Sequence, residues 1–335
     1  MNAATDPKLL GLALVAAFAY GLCATSVTAA DFPTKPVRWI VPFPPGGSND
    51  VLARYVGAKL TERLNEQVVI DNRAGANGII GTELAARSPA DGYTLLMIST
   101  SFVMNAAVRT LPYDVDKSFD PISLIASSPN CIVVSPAAGL NSLKELVERA
   151  KAKPGSMNYA STGVGGFNHF GGELFKKVAG VDIVHVPYKG GGPAMTDVMA
   201  GQVPIMFSSL TQVLPNIRSG KLKLLAVGAD KRSPVMPDTP TVGEAGFPGY
   251  EVSVWWGIVA PAGAPARVME KLRRELAAIM ENPDTQKRLL ADAAEPRTLP
   301  PGDIRRMIRA EVTKWTEVAQ VAGIRVPQSP LTASR

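Results

Sequence analysis

Short apolar runs alternate with helix-like stretches along most of this chain of 335 residues, and that alternation limits the fold more than any other feature. Each run is bounded by turn residues and is too short for a buried helix, so it predicts a strand. Strands that alternate with helices are typical of α/β proteins with mainly parallel sheets. The predicted strands are Val37–Val41, Val68–Asp71, Thr94–Ile98, Cys131–Val134, Met157–Ala160, Ile183–Val186, Ile205–Phe207, Leu224–Val227 and Val252–Val259.

The helical stretches carry recognisable end signals. Ser142 followed by Glu145 is a capping box, in which the two residues satisfy N–H groups at the start of a helix. Pro193 suits the first position of another helix, and Gly201 suits the exit from the same helix. These signals predict helices between the strands of the central part of the chain.

The chain is long enough to form two lobes. After Pro261 the pattern is almost wholly helical, so these last helices must pack on a sheet built earlier in the chain. A C-terminal segment that returns in this way requires two crossovers between lobes, which we place near residues 125–131 and 250–256. The resulting prediction is a first lobe of residues 31–128 plus 254–335 and a second lobe of residues 129–253.

The first thirty residues have the features of a secretory signal peptide. Leu9–Leu22 form an apolar run too short to span a bilayer, and Ala30 completes a small-residue cleavage site. Cys23 raises the question of a lipid anchor, but the bulky Leu22 before it argues against one. A retained N-terminal anchor is the alternative, which the short run disfavours. The sequence therefore predicts a periplasmic protein.

Composition excludes several function classes. Removing the signal peptide leaves one cysteine, Cys131, inside a buried-strand pattern that is typical of a small core residue. The formal net charge is +6, but the cations are interleaved with acids on helix faces, which does not indicate nucleic-acid binding. With two histidines and no cluster at ligand spacing, neither a metal nor a cofactor is predicted.

The segment Val37–Asp50 indicates how the protein could bind a ligand. An apolar strand ends in Pro-Phe-Pro-Pro-Gly-Gly and passes directly into a helical pattern. Unpaired N–H groups at the start of that helix, together with the helix dipole, favour a small anion there. No Gly-Lys-Ser/Thr or third glycine follows, so a bound phosphate chain is not indicated. The alternative is a turn that only makes a tight corner.

A second loop repeats this arrangement further along the chain. The strand ending at Ala160 leads into Ser161-Thr162-Gly163-Val164-Gly165-Gly166 and then into a helix that Gly180 ends. If each lobe presents such a loop to a shared crevice, a ligand with two polar ends can be held from both sides. An exported hydrolase with Ser161 as nucleophile and His169 as base is the alternative, although no Gly-x-Ser-x-Gly motif is present.

These two loops, together with five further motifs, resemble the periplasmic receptors of tripartite tricarboxylate transporters, known as Bug-type receptors. The resemblance covers essentially the whole chain after the signal peptide. It implies an α/β two-lobe periplasmic binding fold of type II that closes around a small carboxylate and delivers it to a membrane permease without reaction. The five motifs are Pro89–Leu96, Leu111–Asp114, His185–Gly190, Pro237–Thr241 and Ala260–Gly263.

The resemblance also implies which residues contact the ligand. Phe43 would pack on its carbon skeleton, whereas Asp50 would fix N–H groups of the first loop because a carboxylate repels an anion. Ser99, Thr100 and Ser101 would meet the far end of the ligand. The complete set of implied ligand-binding residues is Phe43, Gly46, Gly47, Ser48, Asp50, Ser99, Thr100, Ser101, Ser161, Gly163, Gly165, His169 and Ser208.

Three positions depart from the pattern of the family. Gly166 stands where Ser or Thr is common, Asn49 where Thr or Ser is usual, and Ser208-Ser209 where an acidic residue is common. The last departure favours a simple or aromatic carboxylate over an amino acid. The expected partners are the carboxylate and the permease, with the receptor itself a monomer. A sensory role, in which the liganded receptor is presented to a membrane kinase, stays open.

Overall fold

Ten strands are present in the part of the chain that the computed structural model describes, residues 32–324. The predicted signal peptide and its cleavage site lie outside the described residues. Residues 35–324 belong to one unit of the fold. The strands are β1 (Val37–Val41), β2 (Val68–Asn72), β3 (Thr94–Ser99), β4 (Phe119–Val134), β5 (Asn158–Ser161), β6 (Val184–Pro187), β7 (Ile205–Ser209), β8 (Lys223–Gly228), β9 (Ser253–Pro261) and β10 (Glu295–Pro296).

Helices connect most of these strands. Two short 3₁₀ turns lie at Ala76–Gly78 and Pro136–Ala138. The α-helices are α1 (Ser48–Leu64), α2 (Ile79–Ala86), α3 (Thr100–Val108), α4 (Leu143–Ala152), α5 (Phe167–Ala179), α6 (Gly191–Met199), α7 (Leu210–Arg218), α8 (Ala266–Glu281), α9 (Pro283–Ala291) and α10 (Pro301–Ala322).

The strands form two groups that share β4. In the first lobe, β1 pairs in parallel with β2 and β3, and β9 lies antiparallel between β3 and β4. In the second lobe, β5 pairs in parallel with β6 and β7. Residues 119–129 of β4 pair with β9, whereas residues 130–134 pair with β7 and β8. The pairing partners of β4 therefore change between Pro129 and Asn130.

Two details of the predicted sheet were wrong. The sheets are mixed rather than mainly parallel, because the long strands β4 and β9 run antiparallel to their neighbours. Only the last four residues of β4 were predicted as a strand, since Pro121 and Pro129 interrupt the apolar run before them. Register shifts in the pairing with β9 accommodate this irregular stretch. After Pro261 the short strand β10 is an exception to the predicted helical tail.

The predicted helix ends are found with small shifts. Ser142 Oγ accepts the N–H of Glu145 at 3.1 Å, while Glu145 Oε2 accepts the N–H of Asn141 at 2.7 Å. This confirms the capping box, with the glutamate reaching one residue further back than usual. Pro193 is the third residue of α6 rather than the first.

Apolar side chains fill the interior of both lobes. Trp39, Trp256 and Tyr159 are among the largest side chains that are fully buried. Helix α5 approaches β5 so closely that a Cβ on Gly172 would lie 2.3 Å from the Tyr159 ring. Cys131 is fully buried and forms no disulfide within residues 32–324, which confirms its expected role as a core residue. Among the described residues, no helix is both long and apolar enough to cross a bilayer.

Candidate functional site

A cavity between the lobes is surrounded by helix N-termini. Within residues 32–324, five helices (α1, α3, α5, α6 and α7) contribute residues from their N-caps or first turns to its wall. The volume open to the centre of a water-sized sphere is about 30 Å³, so the walls of the cavity lie close together in this structure. The lining residues are Phe43, Pro44, Gly47, Ser48, Asn49, Ser99, Ser101, Thr162, Phe167, Asn168, Gly191, Ser209, Gln212 and Val254.

The loop after β1 forms one wall of this cavity. Gly47 is the N-cap of α1, with φ −85° and ψ 167°, and its carbonyl accepts the N–H groups of Asp50 and Val51 at 3.0 Å each. The N–H groups of Ser48 and Asn49 precede these bonds and have no intrahelical acceptor. They lie at the positive end of the helix dipole, which favours an anion.

Asp50 fixes the shape of that loop. Its Oδ2 accepts the N–H of Gly46 at 3.0 Å, and its Oδ1 accepts Asn72 Nδ2 at 3.0 Å. Burial on its own would raise the pKa of Asp50, but hydrogen bonds from Arg54, Gly46 and Asn72 outweigh it and hold that pKa below its usual value. The carboxylate is thus charged, and both of its oxygens accept hydrogen bonds from residues in or near the loop, as expected from the sequence.

Two hydroxyl groups at the same wall have no hydrogen-bond partner within residues 32–324. The Ser48 and Ser99 side chains are only 8% and 4% exposed, both line the cavity, and neither makes a hydrogen bond with another described residue. Ser101, the second residue of α3, accepts the N–H of Phe167 at the start of α5 at 3.3 Å. Two buried hydroxyls are therefore free to donate to a ligand.

The second lobe supplies the three remaining helix starts. Gly166 caps α5, and Asn168 is held by Thr162 Oγ1 at 3.0 Å and by the Phe207 carbonyl. Gly191 begins α6. Ser209 caps α7 by accepting the N–H of Gln212 at 3.4 Å.

The wall carries no charged side chain among the described residues. The helix dipoles, each equivalent to about half a positive charge at the N-terminus, add positive potential to this uncharged wall. Such a site binds an anion through N–H and hydroxyl groups and repels a cation. Within residues 32–324 no three His, Cys, Asp or Glu side chains lie close enough together to hold a metal ion.

The structure brings some of the predicted site residues to the cavity and places others behind it. Five of them line the wall: Phe43, Gly47, Ser48, Ser99 and Ser101. The others do not line it: Gly46, Asp50, Thr100, Ser161, Gly163, Gly165, His169 and Ser208.

Several of these other residues have structural roles near the wall. Thr100 Oγ1 accepts the N–H of Trp255 at 2.9 Å and so joins α3 to β9. Gly163 lines a neighbouring groove between the lobes. Ser208 Oγ is buried and has no hydrogen-bond partner among residues 32–324, but it does not line the cavity.

The pairing of Ser161 with His169 was wrong. Ser161 Oγ lies 2.5 Å from Nε2 of His185, and it also accepts the N–H of Gly163 at 3.1 Å. His169 Nδ1 instead accepts the N–H of Gly165 at 3.1 Å. Ser161 is fully buried, and these contacts link the second loop to β6 and to the first turn of α5.

The two histidines stack on each other behind the second loop. Their ring centroids are 4.2 Å apart, and the Tyr159 ring stacks on the other face of His185 at 5.0 Å. Burial lowers the pKa of His169 to about 4 and that of His185 to about 3, with smaller contributions from nearby cations and, for His185, from His169. Both imidazoles are therefore neutral at neutral pH.

We expect the protein to lose stability as the pH falls from about 6.5 to about 4. In that window the unfolded chain binds protons at both histidines while the folded chain does not, so the unfolded state is favoured. The free energy of unfolding should fall by up to about 1.4 kcal/mol per pH unit for each histidine. Urea unfolding at pH 7, 6 and 5 measures this slope. The slope should be shallower in the His169→Gln variant. An unchanged slope would contradict the attribution of this pH dependence to the buried histidines.

Sequence reasoning missed the walls formed by α6 and α7. A signal was present for α7, because Ser209-Leu210-Thr211-Gln212 has the Ser-x-x-Gln spacing of a capping box. Three consecutive glycines, 190–192, precede Pro193 and mark the start of α6. Neither sequence pattern indicates that these helix starts face the same cavity as the start of α1.

Comparison with known proteins places this architecture among periplasmic binding proteins. The solved periplasmic binding protein BugD is 35% identical, covers 88% of this chain and 99% of its own, and superposes with a TM-score of 0.84. The structure of Rpa4515 of R. palustris with adipate is also 35% identical, with a TM-score of 0.86 and the same coverage. The fold is the α/β two-lobe fold of these binding proteins.

The chain belongs to the tripartite tricarboxylate transporter family of receptors, whose family model matches residues 52–324. A curated relative, the protein BugT of Bordetella pertussis, is 36% identical over 306 residues, which is 90% of this chain and 94% of BugT. The Bug-type resemblance seen in the sequence is thereby confirmed.

Proposed function

We propose that this protein is a periplasmic receptor that captures a small organic carboxylate by closure of its two lobes and delivers it to a membrane permease. The observation that carries this proposal is the convergence of five helix N-termini on one uncharged cavity. Unpaired N–H groups and the buried hydroxyls of Ser48 and Ser99 replace the hydration of a carboxylate. The solved relative that contains adipate supports the same ligand class.

Contacts between the lobes support capture by closure. Arg109 donates from Nη2 to the Val164 carbonyl at 2.8 Å, across the groove next to the cavity. On the same side, Gly166 packs against Asn77, whose Oδ1 would lie 2.5 Å from a Cβ at position 166. A larger residue at position 166 would therefore require the Asn77 side chain to shift before the lobes could meet in this way.

The proposed first lobe comprises residues 31–128 and 254–335, and the second comprises residues 129–253. The change of pairing partner along β4 after Pro129 supports the first of these boundaries. We further propose that residues 1–30 direct export to the periplasm and are removed there, and that the receptor acts as a monomer. Receptors of this kind release the ligand chemically unchanged, and the burial of Ser161 supports a binding role without catalysis.

A melting screen tests carboxylate binding. The protein is unfolded and refolded to remove any copurified acid, and then heated with mono-, di- and tricarboxylates. At a ligand concentration a hundredfold above its Kd, the free energy of unfolding should rise by about 2.7 kcal/mol, which raises the melting temperature by about 4 °C. The corresponding amides, which carry no charge, serve as controls and should produce no shift. If no acid raises the melting temperature above that of the ligand-free protein, the proposal is contradicted.

A further inference from the structure

The C-terminal helix α10 contacts both proposed lobes. It packs against α3 and β4 of the first lobe and against α5 of the second. Where it meets α5, the rings of Phe170 and Trp315 lie edge to face with their centroids 5.5 Å apart, and Lys177 Nζ donates to the Val321 carbonyl at 2.5 Å. Because α5 begins at the cavity, these contacts link α10 to the cavity wall.

One carboxylate of α10 accepts hydrogen bonds from two buried tryptophans. Glu311 Oε2 accepts the indole N–H of Trp315 at 2.7 Å and that of Trp255, on β9, at 3.4 Å. The two tryptophans are only 1% and 3% exposed, so without Glu311 their N–H groups would be buried with no acceptor. The other oxygen, Oε1, lies 4.0 Å from Lys314 Nζ. Glu311 therefore joins α10 to β9.

Trp255 lies next to the place where the chain passes between the proposed lobes. Two residues before it, Ser253 is the register partner of Pro129, after which β4 changes its pairing partners. Thr100 Oγ1 accepts the backbone N–H of Trp255 at 2.9 Å and donates to the Ser253 carbonyl at 3.4 Å. Beside this crossing, Trp255 is thus held by Thr100 from α3 and by Glu311 from α10.

These contacts are placed where the lobes would bend. The lobes touch around the cavity in this structure, where Ser101 Oγ accepts the N–H of Phe167 at 3.3 Å. Separating them bends the crossing strands and moves α5 relative to α10, because the two helices belong to different lobes. Opening therefore changes the contact of Phe170 with Trp315, and Glu311 fixes the indole that makes this contact.

We infer that Glu311 is a positioning residue for lobe closure, which holds α10 and the start of β9 in the arrangement that retains the bound carboxylate. The inference rests on the proposed function and assigns a role in it to a residue outside the cavity wall. Neither Glu311 nor the two tryptophans bonded to it line the cavity. A contact made in the closed form and lost in the open form slows release of the ligand without changing how fast ligand and protein meet.

Stopped-flow binding kinetics test this role. The probe is adipate, or the acid with the largest shift in the melting screen if adipate gives none. Glu311→Met keeps the length of the side chain but removes the acceptor. It raises the dissociation rate constant about fivefold or more, while the association rate constant changes less than about twofold. Glu311→Gln keeps an oxygen that can accept both indole N–H groups and restores most of the wild-type rate. Glu317→Met, at an exposed position of the same helix, changes neither rate constant.

Trp315→Phe keeps the test decisive if Glu311→Met does not fold. Phenylalanine preserves a ring beside Phe170 but has no N–H for Glu311, so release is again faster than in wild type. Unchanged dissociation in the folded variants, with a lower melting temperature alone, means that Glu311 only stabilises the fold and overturns the inference. Slower release overturns it too, because the contact then belongs to the open form. If wild type binds no acid in the screen, the proposed function fails and the inference falls with it.

Discussion

Gly47→Val is expected to weaken carboxylate binding at least a hundredfold while the ligand-free protein still folds. The isopropyl group would stand between the ligand and the N–H groups of Ser48 and Asn49 at the start of α1. Two hydrogen bonds to a charged group are worth about 1.5–3 kcal/mol each, which corresponds to a loss of two to four orders of magnitude in affinity. Calorimetric titration with the acid that gives the largest melting shift measures the effect.

The structure explains why folding should survive this substitution. A Cβ at position 47 meets only the Pro44 carbonyl oxygen, at 3.9 Å, and φ of −85° is open to any residue. Valine is a poorer N-cap than glycine, which costs about 1 kcal/mol of stability. Gly302→Val, in the first turn of α10 and outside the cavity, is the control and should leave affinity unchanged. If Gly47→Val keeps wild-type affinity, the loop after β1 forms a tight turn and does not contact the ligand.

Much of the fold could be predicted from the sequence because its strands are marked locally. Each of the nine predicted runs overlaps an observed strand, and Val37–Val41 matches β1 at both ends. The first part of β4 could not be found in this way, because its prolines and serines break the apolar pattern. That stretch is a strand because β9 pairs with it, and pairing between distant segments leaves no local signal.

The site was predictable only in part, for the same reason. Strand-to-helix loops rich in glycine identified the starts of α1 and α5, since the physical cause of anion binding lies within each loop. Whether a loop residue faces the cavity depends on how the two lobes meet. Ser161 and His169 do not line the cavity; they form hydrogen bonds to His185 and to the Gly165 N–H, which stabilise the second loop. Gln212 does line the cavity, but it lies on α7, whose start was not predicted from the sequence as part of the site.

Trp256→Ala is expected to cause the largest loss of stability of the substitutions considered. Trp256 is fully buried in β9, where its register partners are Ser99 on β3 and Ala126 on β4. β9 lies between β3 and β4, so removing the indole leaves a cavity in the middle of this sheet. The free energy of unfolding should fall by about 3–5 kcal/mol as a result. That is a large fraction of the roughly 5–15 kcal/mol that stabilises a typical protein. Urea unfolding followed by circular dichroism measures the loss.

Trp256→Phe separates the volume of this side chain from its polar atom. The indole Nε1 is buried and has no hydrogen-bond partner among the described residues, so replacing it with an apolar ring removes an unpaired donor as well as some volume. The two effects oppose each other, and the net loss should be about 1 kcal/mol or less. If phenylalanine proves as costly as alanine, the indole N–H has a partner. The packing of β9 would then depend on a polar contact rather than on the size of the ring.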